Sequence, residues 1–435
     1  MVSWSEVLGS NQKKDGYVSI EQKITATKQA EEYLAALAIA LEIPQSRYEQ
    51  AERSYKSVGS WLERDASQVQ GYAPEIYVQG SFKLGTATKP ETAEEQYDID
   101  CVCNLRNVTK MKMSQAELKA LIGDELELYR KDKNMNKALQ EGRRCWTLEY
   151  ADEAQFHMDI VPAIPNEADQ RALFEASRLD AQFAETAIAI TDNEEAGYRH
   201  VTQDWPRSNP RGYAEWFKTR MGDVFVQGRE QILNEMRSKG VTASVEDVPV
   251  YRVRTPLQSA IMILKKHRDT MFADDPTDKP ISIILSTLAA HAYNGETTIG
   301  AALMAILAGM EQPIKHDGVK YIIANPTDGT ENFADKWEKK PERKDAFYSW
   351  LAQAREDFSA AANLVEHRRI GSVLSDRMGS VLAGTVTASV VAAAAVADGA
   401  GHGLVRDASK ASTDGPPQVS FGDEPRVPDT PDGFA

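Results

Sequence analysis

The sequence is poor in cysteine, and its few cysteines follow no pattern of a disulfide framework or a zinc site. Its 435 residues include three, Cys101, Cys103 and Cys145, with no CxxC pair and no metal-ligand spacing. Cys101 and Cys103 belong to one apolar run and are predicted to be buried as small hydrophobic residues. This usage is typical of a protein of the reduced cytoplasm.

Net positive charge is also missing. The chain has 50 Lys and Arg residues against 65 Asp and Glu residues, a formal net charge of −15. Such a balance argues against extended binding of duplex DNA, which needs a broad basic surface. It leaves room for small phosphorylated ligands, because a local cluster of Lys and Arg is enough to bind those.

Long apolar segments are missing as well. The N-terminal residues MVSWSEVLGSNQKKDG lack the apolar stretch of a signal peptide. The run VLAGTVTASVVAAAAVA at 381–397 is shorter than the ~20 residues of a membrane span and consists mostly of small residues. We therefore expect a cytoplasmic protein with no membrane segment.

Hydrophobic periodicity changes along the chain. Helical periodicity is found at 22–42 and 45–66, and strand-like runs follow at 75–79, 97–104, 143–150 and 155–164. Ser114 and Glu117 form the pattern of a capping box at the start of another helix. After about residue 210 the pattern is helical, at 212–237, 256–271, 281–294, 298–309 and 342–365.

This order predicts an α+β fold with three parts. Residues 1–210 would form a catalytic core with the N-terminal helices, and residues 211–385 a helical lobe that closes a cleft against it. Residues 386–435 end in a segment rich in Gly, Pro, Asp and Ser, and we expect them to form a flexible tail.

Two aspartates interrupt a strand that otherwise reads as buried. In YDIDCVCNL, Asp98 and Asp100 point to one face of the strand, about 7 Å apart. Asp159 lies in a second apolar strand, FHMDIVPAI. Carboxylates in such places repel each other unless cations hold them, and they are the ligands that Mg²⁺ prefers. A polar strand end with solvated acids is the alternative for a DxD pair alone.

A Gly-Ser pair follows the strand before them. In VQGSFKLGT, Gly80 and Ser81 come directly after a strand, where backbone N–H groups and a small hydroxyl can hold phosphate oxygens. Taken alone, the pair would be a simple turn. With the three carboxylates it fits nucleotidyl transfer, in which two Mg²⁺ ions activate a hydroxyl and stabilise the leaving pyrophosphate.

The combined motifs resemble one family. The segments QGSFKLGTATKP, YDIDCVCNL, FHMDIVPAIP, SNPRGYAEWF, LKKHRD and NPTDGTENFADKW together look like the bacterial cGAS/DncV-like nucleotidyltransferases of CBASS anti-phage systems, and the resemblance covers roughly residues 45–380. The resemblance implies a polymerase-β-like nucleotidyltransferase core with a mixed β-sheet, packed on a helical C-terminal lobe. It also implies synthesis of a cyclic di- or trinucleotide messenger from NTPs, with ATP expected among them.

The resemblance assigns roles by position. Asp98, Asp100 and Asp159 would bind two Mg²⁺ ions, or Mn²⁺ in their place, and Gly80 and Ser81 would bind the triphosphate.

Two residues of the helical half would also meet the triphosphate by resemblance, Lys265 of LKKHRD and Ser282 near a helix N-terminus. Lys266 is the substitute if the helical register differs by one residue, and a solvated Lys and an ordinary capping Ser are the alternatives. His157 shares the strand face of Asp159, but a structural histidine is the favoured interpretation. Trp205, Arg207 and Arg211 stay unassigned between ligand contacts and the core.

Two other functions stay open. A tRNA or a protein hydroxyl could replace the second nucleotide as acceptor, although an acidic chain disfavours tRNA. A nucleotide-binding sensor without turnover is the other, and the intact aspartate set disfavours it. By resemblance, an E1/E2-like partner would conjugate the C-terminus, PDTPDGFA, to a target; an ordinary disordered tail is the alternative.

Overall fold

The computed structural model describes residues 26–90, 96–150, 156–238 and 252–401. It begins with two helices at the positions predicted, α1 (Lys28–Leu41) and α2 (Gln45–Glu63). Thr27 caps α1 because its hydroxyl accepts a hydrogen bond from the Ala30 N–H at 3.2 Å.

A seven-stranded mixed sheet follows. Its strands are β1 (Pro74–Val78), β2 (Tyr97–Leu105), β3 (Gln140–Glu141), β4 (Trp146–Glu149), β5 (Phe156–Pro165), β6 (Ile188–Ile190) and β7 (Arg207–Ser208). The spatial order is β1-β2-β5-β4-β3, and β6 pairs with the end of β5 and with β7. Of these pairs, β2 with β5 is parallel and the others are antiparallel. The predicted strands are confirmed; β6 and β7 are too short for periodicity to show.

Among the described residues, three α-helices lie between the strands: α3 (Gly80–Leu84), α4 (Gln115–Asp132) and α5 (Glu167–Ser177). The predicted capping box at α4 is confirmed. The Ser114 hydroxyl accepts a hydrogen bond from the Glu117 N–H at 3.3 Å, and the Glu117 carboxylate accepts one from the Ser114 N–H at 2.7 Å.

Helices dominate the described residues from 210 onward. They are α6 (Pro210–Ser238), α7 (Pro256–Met271), α8 (Ser282–Ala292), α9 (Ile299–Gly309), α10 (Pro341–Ala362), α11 (His367–Met378) and α12 (Ser380–Gly401). Gly222, with φ +53°, breaks α6 into two segments. Two small hairpins stand between α9 and α10, formed by β8 (Lys315–His316) with β9 (Tyr321–Ile322) and by β10 (Ala324–Asn325) with β11 (Asp328–Asn332).

The sheet and the helices each have a core. Ile99, Cys101 and Cys103 of β2 are fully buried in the sheet core, as predicted. Tyr33 and Leu37 of α1 are buried in the helical core instead. The grouping of the N-terminal helices with residues 1–210 is therefore wrong for α1, because its apolar face packs against the later helices.

The first residues of the predicted tail are helical. Residues 386–401 continue α12, because alanine is the strongest helix former and the run contains many alanines. The remainder of the predicted tail, residues 402–435, lies outside the described residues. In the described part of the chain, no helix combines the length and the apolar character needed to cross a membrane.

Candidate active site

The parallel pair β2 and β5 brings the predicted aspartates together. Asp100 is the register partner of Asp159, and Asp98 is the partner of His157. Because side chains of a strand alternate between faces, all four polar side chains lie on the same face of the sheet. The alternate residues of β2, such as Ile99, fill the core on the opposite face. One acidic patch is thus assembled from two strands.

Neighbouring side chains hold this patch in place. Asp98 is exposed, and its Oδ1 lies 3.4 Å from Nε2 of His157. This contact raises the pKa of His157. On the other side of β5, Thr147 of β4 is the register partner of Asp159, and its hydroxyl donates a hydrogen bond to the Asp159 carboxylate. The hydrogen bond helps to fix the orientation of the Asp159 carboxylate.

The electrostatics of the patch favour a cation. Burial, together with the charges of Asp98 and Asp159, raises the pKa of Asp100 to about 7, against the opposing effect of His157 and Lys265. Three carboxylates this close repel each other, so a bound cation would relieve the repulsion.

One oxygen or nitrogen atom from each of Asp98, His157 and Asp159 lies within 4.8 Å of the others, a spacing that suits a metal ion. The histidine belongs to this group although the sequence favoured a structural role for it. The donor set therefore fits a divalent cation.

The Gly-Ser turn touches the acidic patch directly. The turn leaves β1 with the Gln79 N–H donating to the Asp100 carbonyl at 2.8 Å. Gly80 then adopts φ +62°, which only glycine tolerates well, and a Cβ there would lie 2.2 Å from Asp100 Oδ2. Position 80 therefore requires glycine both for its backbone angle and for its closeness to the carboxylate.

A cavity of about 900 Å³ opens in front of these residues. Its lining includes almost every residue predicted for the site: Gly80, Ser81, Asp98, Asp100, Lys265, Lys266 and Ser282. Asp159 does not line it. The volume is at the upper end of the range for small-molecule sites and suits nucleotides. The cavity thus has an acidic wall from the sheet and a basic wall from the helices.

Lys265 and Ser282 stand on the basic wall. Burial lowers the pKa of Lys265 to about 8, and its Nζ donates a hydrogen bond to the Thr86 carbonyl at 3.0 Å. Ser282 is the first residue of α8, as predicted near a helix N-terminus, and its hydroxyl accepts a hydrogen bond from Arg268 at 3.0 Å.

Sequence reasoning missed several residues of the site. Arg268, Asp269 and Lys279 also line the cavity. The first two belong to the motif LKKHRD. They follow Lys265 by three and four residues, and this helical spacing could have indicated that they share a face of α7 with it. Thr147 gave no signal, since its contact depends on the pairing of β4 with β5.

The unassigned residues of the segment 205–211 contact other parts of the protein. Trp205 is buried in the sheet core. Arg207 pairs with Asp328 at 3.1 Å, and Arg211 holds Glu75 through two hydrogen bonds of 2.7 and 3.1 Å.

Comparison with known proteins agrees with this geometry. Residues 74–162 match the family model described as "Cyclic GMP-AMP synthase DncV-like, nucleotidyltransferase domain". The chain is 29% identical over 328 residues to a c-di-GMP synthase of Roseivirga ehrenbergii, covering 75% of this chain and 78% of the relative. It is 25% identical over 313 residues to the cyclic dinucleotide synthase CdnG of Bradyrhizobium diazoefficiens, covering 70% and 69%.

Solved structures show the same fold. The structure of Bradyrhizobium diazoefficiens CdnG in complex with GTP superposes with a TM-score of 0.61 at 19% identity, over 83% of this chain and 99% of that one. Vibrio cholerae DncV in complex with a linear intermediate superposes with a TM-score of 0.53 at 12% identity, over 82% of this chain and 96% of that one. The predicted α+β nucleotidyltransferase fold with a helical C-terminal lobe is confirmed. Residues 74–162, from β1 to β5, therefore match the nucleotidyltransferase domain of the DncV-like family, and the chain as a whole is similar to cyclic dinucleotide synthases.

Proposed function

We propose that this protein joins NTPs into a cyclic di- or trinucleotide and releases one pyrophosphate for each bond formed. The observation that carries the proposal is the cavity with Asp98 and Asp100 on one wall and Lys265 on the other. The names of the two relatives, a c-di-GMP synthase and a cyclic dinucleotide synthase, support it. We expect GTP and ATP among the substrates.

Each bond follows one reaction. A ribose hydroxyl of one nucleotide attacks the α-phosphorus of the other, a new P–O bond forms, and the bond to the β-phosphate breaks. The hydroxyl proton passes to the acidic face of the sheet. Repetition between the ends of the linear product closes the ring. Positioning and charge neutralisation supply most of the rate enhancement.

The carboxylates would hold two Mg²⁺ ions, with Mn²⁺ as a substitute. Asp98, Asp100 and Asp159 offer hard oxygen ligands, and their mutual repulsion favours cation binding. Ions bound there would neutralise charge on the attacking oxygen and on the leaving pyrophosphate. The Thr147 hydroxyl, which donates a hydrogen bond to the Asp159 carboxylate, would help to hold this ligand in place.

The remaining predicted residues would hold the triphosphate. The Gly80–Ser81 turn offers backbone N–H groups and a hydroxyl beside the carboxylates, and Lys265 offers a buried ammonium on the opposite wall. Ser282 adds the N-terminal end of α8. The α-phosphorus would then be drawn toward the acidic wall while the terminal phosphates stay on the basic wall.

The proposal is tested with the purified protein, labelled NTPs and either Mg²⁺ or Mn²⁺. After phosphatase treatment, a resistant cyclic product is expected from the wild type. Asp100→Asn should abolish this product, whereas Asp124→Asn, an exposed aspartate of α4, should not. A product that forms only after tRNA or a protein is added would favour the alternative acceptor. NTP binding without pyrophosphate release would favour the sensor.

Similarity to the DncV-like nucleotidyltransferases supports two further parts of the proposal. The product would be made in the cytoplasm as a messenger of anti-phage signalling, and an E1/E2-like partner would conjugate the C-terminus. Deletion of the last residues, which lie outside the described part of the chain, should then abolish conjugates in cells that contain the partner and leave NTP turnover intact.

A further inference from the structure

One acid stands among the bases of the helical wall. Four cavity-lining cations come from this side: Lys265, Lys266, Arg268 and Lys279. Asp269 also lines the cavity there. On a helix with 3.6 residues per turn, positions 265, 266, 268 and 269 share one face of α7. The acid is therefore set into the surface that the proposed triphosphate would contact.

Asp269 binds two of these cations through one oxygen. Its Oδ1 accepts hydrogen bonds from Nε and Nη2 of Arg268 at 3.0 and 2.8 Å, and it lies 2.9 Å from Nζ of Lys279. The field of the same carboxylate opposes the lowering of the pKa of Lys265 and of Lys266 by burial. All four cations thus interact with a single counter-ion.

The two direct partners of Asp269 differ in their freedom to move. Arg268 is 4% exposed, and its Nη1 donates to the Pro280 carbonyl and to the Ser282 hydroxyl, each at 3.0 Å. Lys279 is 35% exposed, as is Asp269. A phosphate that reaches this wall would meet a fixed guanidinium and a lysine able to change partner. It would compete with the carboxylate for both.

We propose that Asp269 is an internal competitor of the NTP triphosphate, holding Arg268 and Lys279 until a terminal phosphate replaces it and taking them back when pyrophosphate leaves. This inference rests on the proposed function and concerns the regulation of the same cavity. Tight binding of substrate alone does not speed the chemical step, and a strongly held pyrophosphate would slow turnover. A carboxylate that lowers the affinity for polyphosphate therefore favours the release of pyrophosphate.

Removal of the Asp269 charge should strengthen the binding of polyphosphate, although Asp269 itself lines the cavity. Asp269→Asn keeps the size of the side chain and an oxygen for the Arg268 N–H groups, but it removes the competing charge. We expect it to bind ATP and inorganic tripolyphosphate about tenfold more tightly, given the strength of charge interactions at this range. AMP should gain less, because it lacks the terminal phosphates. Inhibition by pyrophosphate should become stronger in parallel.

The experiment is calorimetric titration of the full chain with Mg²⁺ and tripolyphosphate, ATP or AMP, with thermal unfolding of each variant as a check of folding. Asp274→Asn is the matched control, because Asp274 is exposed on the following segment and loses the same charge. Asp269→Glu keeps the charge and should bind like the wild type. Lys279→Met should weaken ATP binding and reduce the gain from Asp269→Asn when the two are combined.

The outcomes separate the inference from the proposed function. An equal gain in Asp274→Asn would assign the effect to net charge, and weaker ATP binding in Asp269→Asn would show that the acid helps to bind the nucleotide; either result overturns the inference. An equal gain for ATP and AMP with no gain for tripolyphosphate would indicate contact with the nucleoside and would overturn it too. A wild type that binds no triphosphate would refute the proposed function itself.

Discussion

The carboxylate of Asp100 occupies the space that a side chain at Gly80 would need. A Cβ at position 80 would lie 2.2 Å from Asp100 Oδ2 and 3.1 Å from its Cγ. The turn proposed to hold phosphate and the strand proposed to hold metal are thus in direct contact. Any change at one is transmitted to the other.

Gly80→Ala is the first variant to make. The added methyl group should push the Asp100 carboxylate out of position, and a displacement of about 1 Å at a reacting centre can lower the rate about 100-fold. Gly222→Ala is the matched control, since Gly222 also has positive φ but open space around it. Both variants should lose about 1–3 kcal/mol of stability through backbone strain. Equal loss of cyclic product in the two would contradict the contact with Asp100.

Thr147→Val removes a hydroxyl and keeps the shape of the side chain. Because this hydroxyl donates to Asp159, the Mg²⁺ concentration for half-maximal activity should rise about tenfold, a typical effect for a residue that orients a metal ligand. Thr147→Ser should retain the wild-type requirement. The measurement is product formation against Mg²⁺ concentration. An unchanged Mg²⁺ requirement in the valine variant would remove Thr147 from the site.

Lys265→Met should make the protein more stable and lower its affinity for ATP. Burial lowers the pKa of Lys265 from 10.5 to about 8, so the buried charge destabilises the wild type by about 3 kcal/mol at pH 7. Loss of the hydrogen bond to Thr86 offsets about 1 kcal/mol of the gain in the variant. Because the folded pKa is the lower one, the wild type gains stability as the pH rises from 8 to 10.5. The net advantage of the variant, about 2 kcal/mol, should therefore vanish over that range.

Urea unfolding at pH 7 and at pH 10 measures this difference, and titration with ATP measures the loss of nucleotide affinity. Lys265→Arg, which keeps the charge, serves as the comparison. A methionine variant that is less stable than the wild type at pH 7 would show that Lys265 is a structural residue.

The buried carboxylate of Asp192 should make the stability of the protein depend on pH in acid. Its fully buried carboxylate holds Arg143 and Arg144 at 2.7 and 2.8 Å, just before the strand that contains Thr147. Hydrogen bonds from these arginines, against burial, lower its pKa from 3.8 to about 2. Since the folded pKa is the lower one, the stabilisation is complete above pH 4 and is lost as the pH falls through 2. It amounts to about 2 kcal/mol.

Asp192→Asn should therefore unfold more easily at pH 7, and its difference from the wild type should shrink as the pH approaches 2. Thermal unfolding across this range gives the measurement. A constant difference at all pH values would assign the effect to packing instead of to charge.

Much of the site could be predicted from local patterns. Alternation in YDIDCVCNL places Asp98 and Asp100 on one face, and the structure agrees because β2 is a regular strand with a buried opposite face. The Gly-Ser pair after β1 is equally local. The roles of these residues in binding metal and phosphate stay predictions.

The features that could not be predicted from the sequence are contacts between residues far apart along the chain. Periodicity shows that α1 has a buried face, but not that Tyr33 packs among the later helices. The hydrogen bond from Thr147 to Asp159 needs the pairing of β4 with β5. Lys279 meets Asp269 only because the segment between α7 and α8 turns back on itself.

The parallel pairing of β2 with β5 has a consequence for the biogenesis of this protein. Parallel strands require a long crossover, so Asp159 joins Asp98 and Asp100 only after the intervening segment has been synthesised and folded. A ribosome-bound chain that ends before β5 has two of the three acids and no complete acidic patch. A one-residue slip in the register would turn Asp159 to the opposite face. Incomplete or misfolded copies are therefore expected to have no nucleotidyltransferase activity.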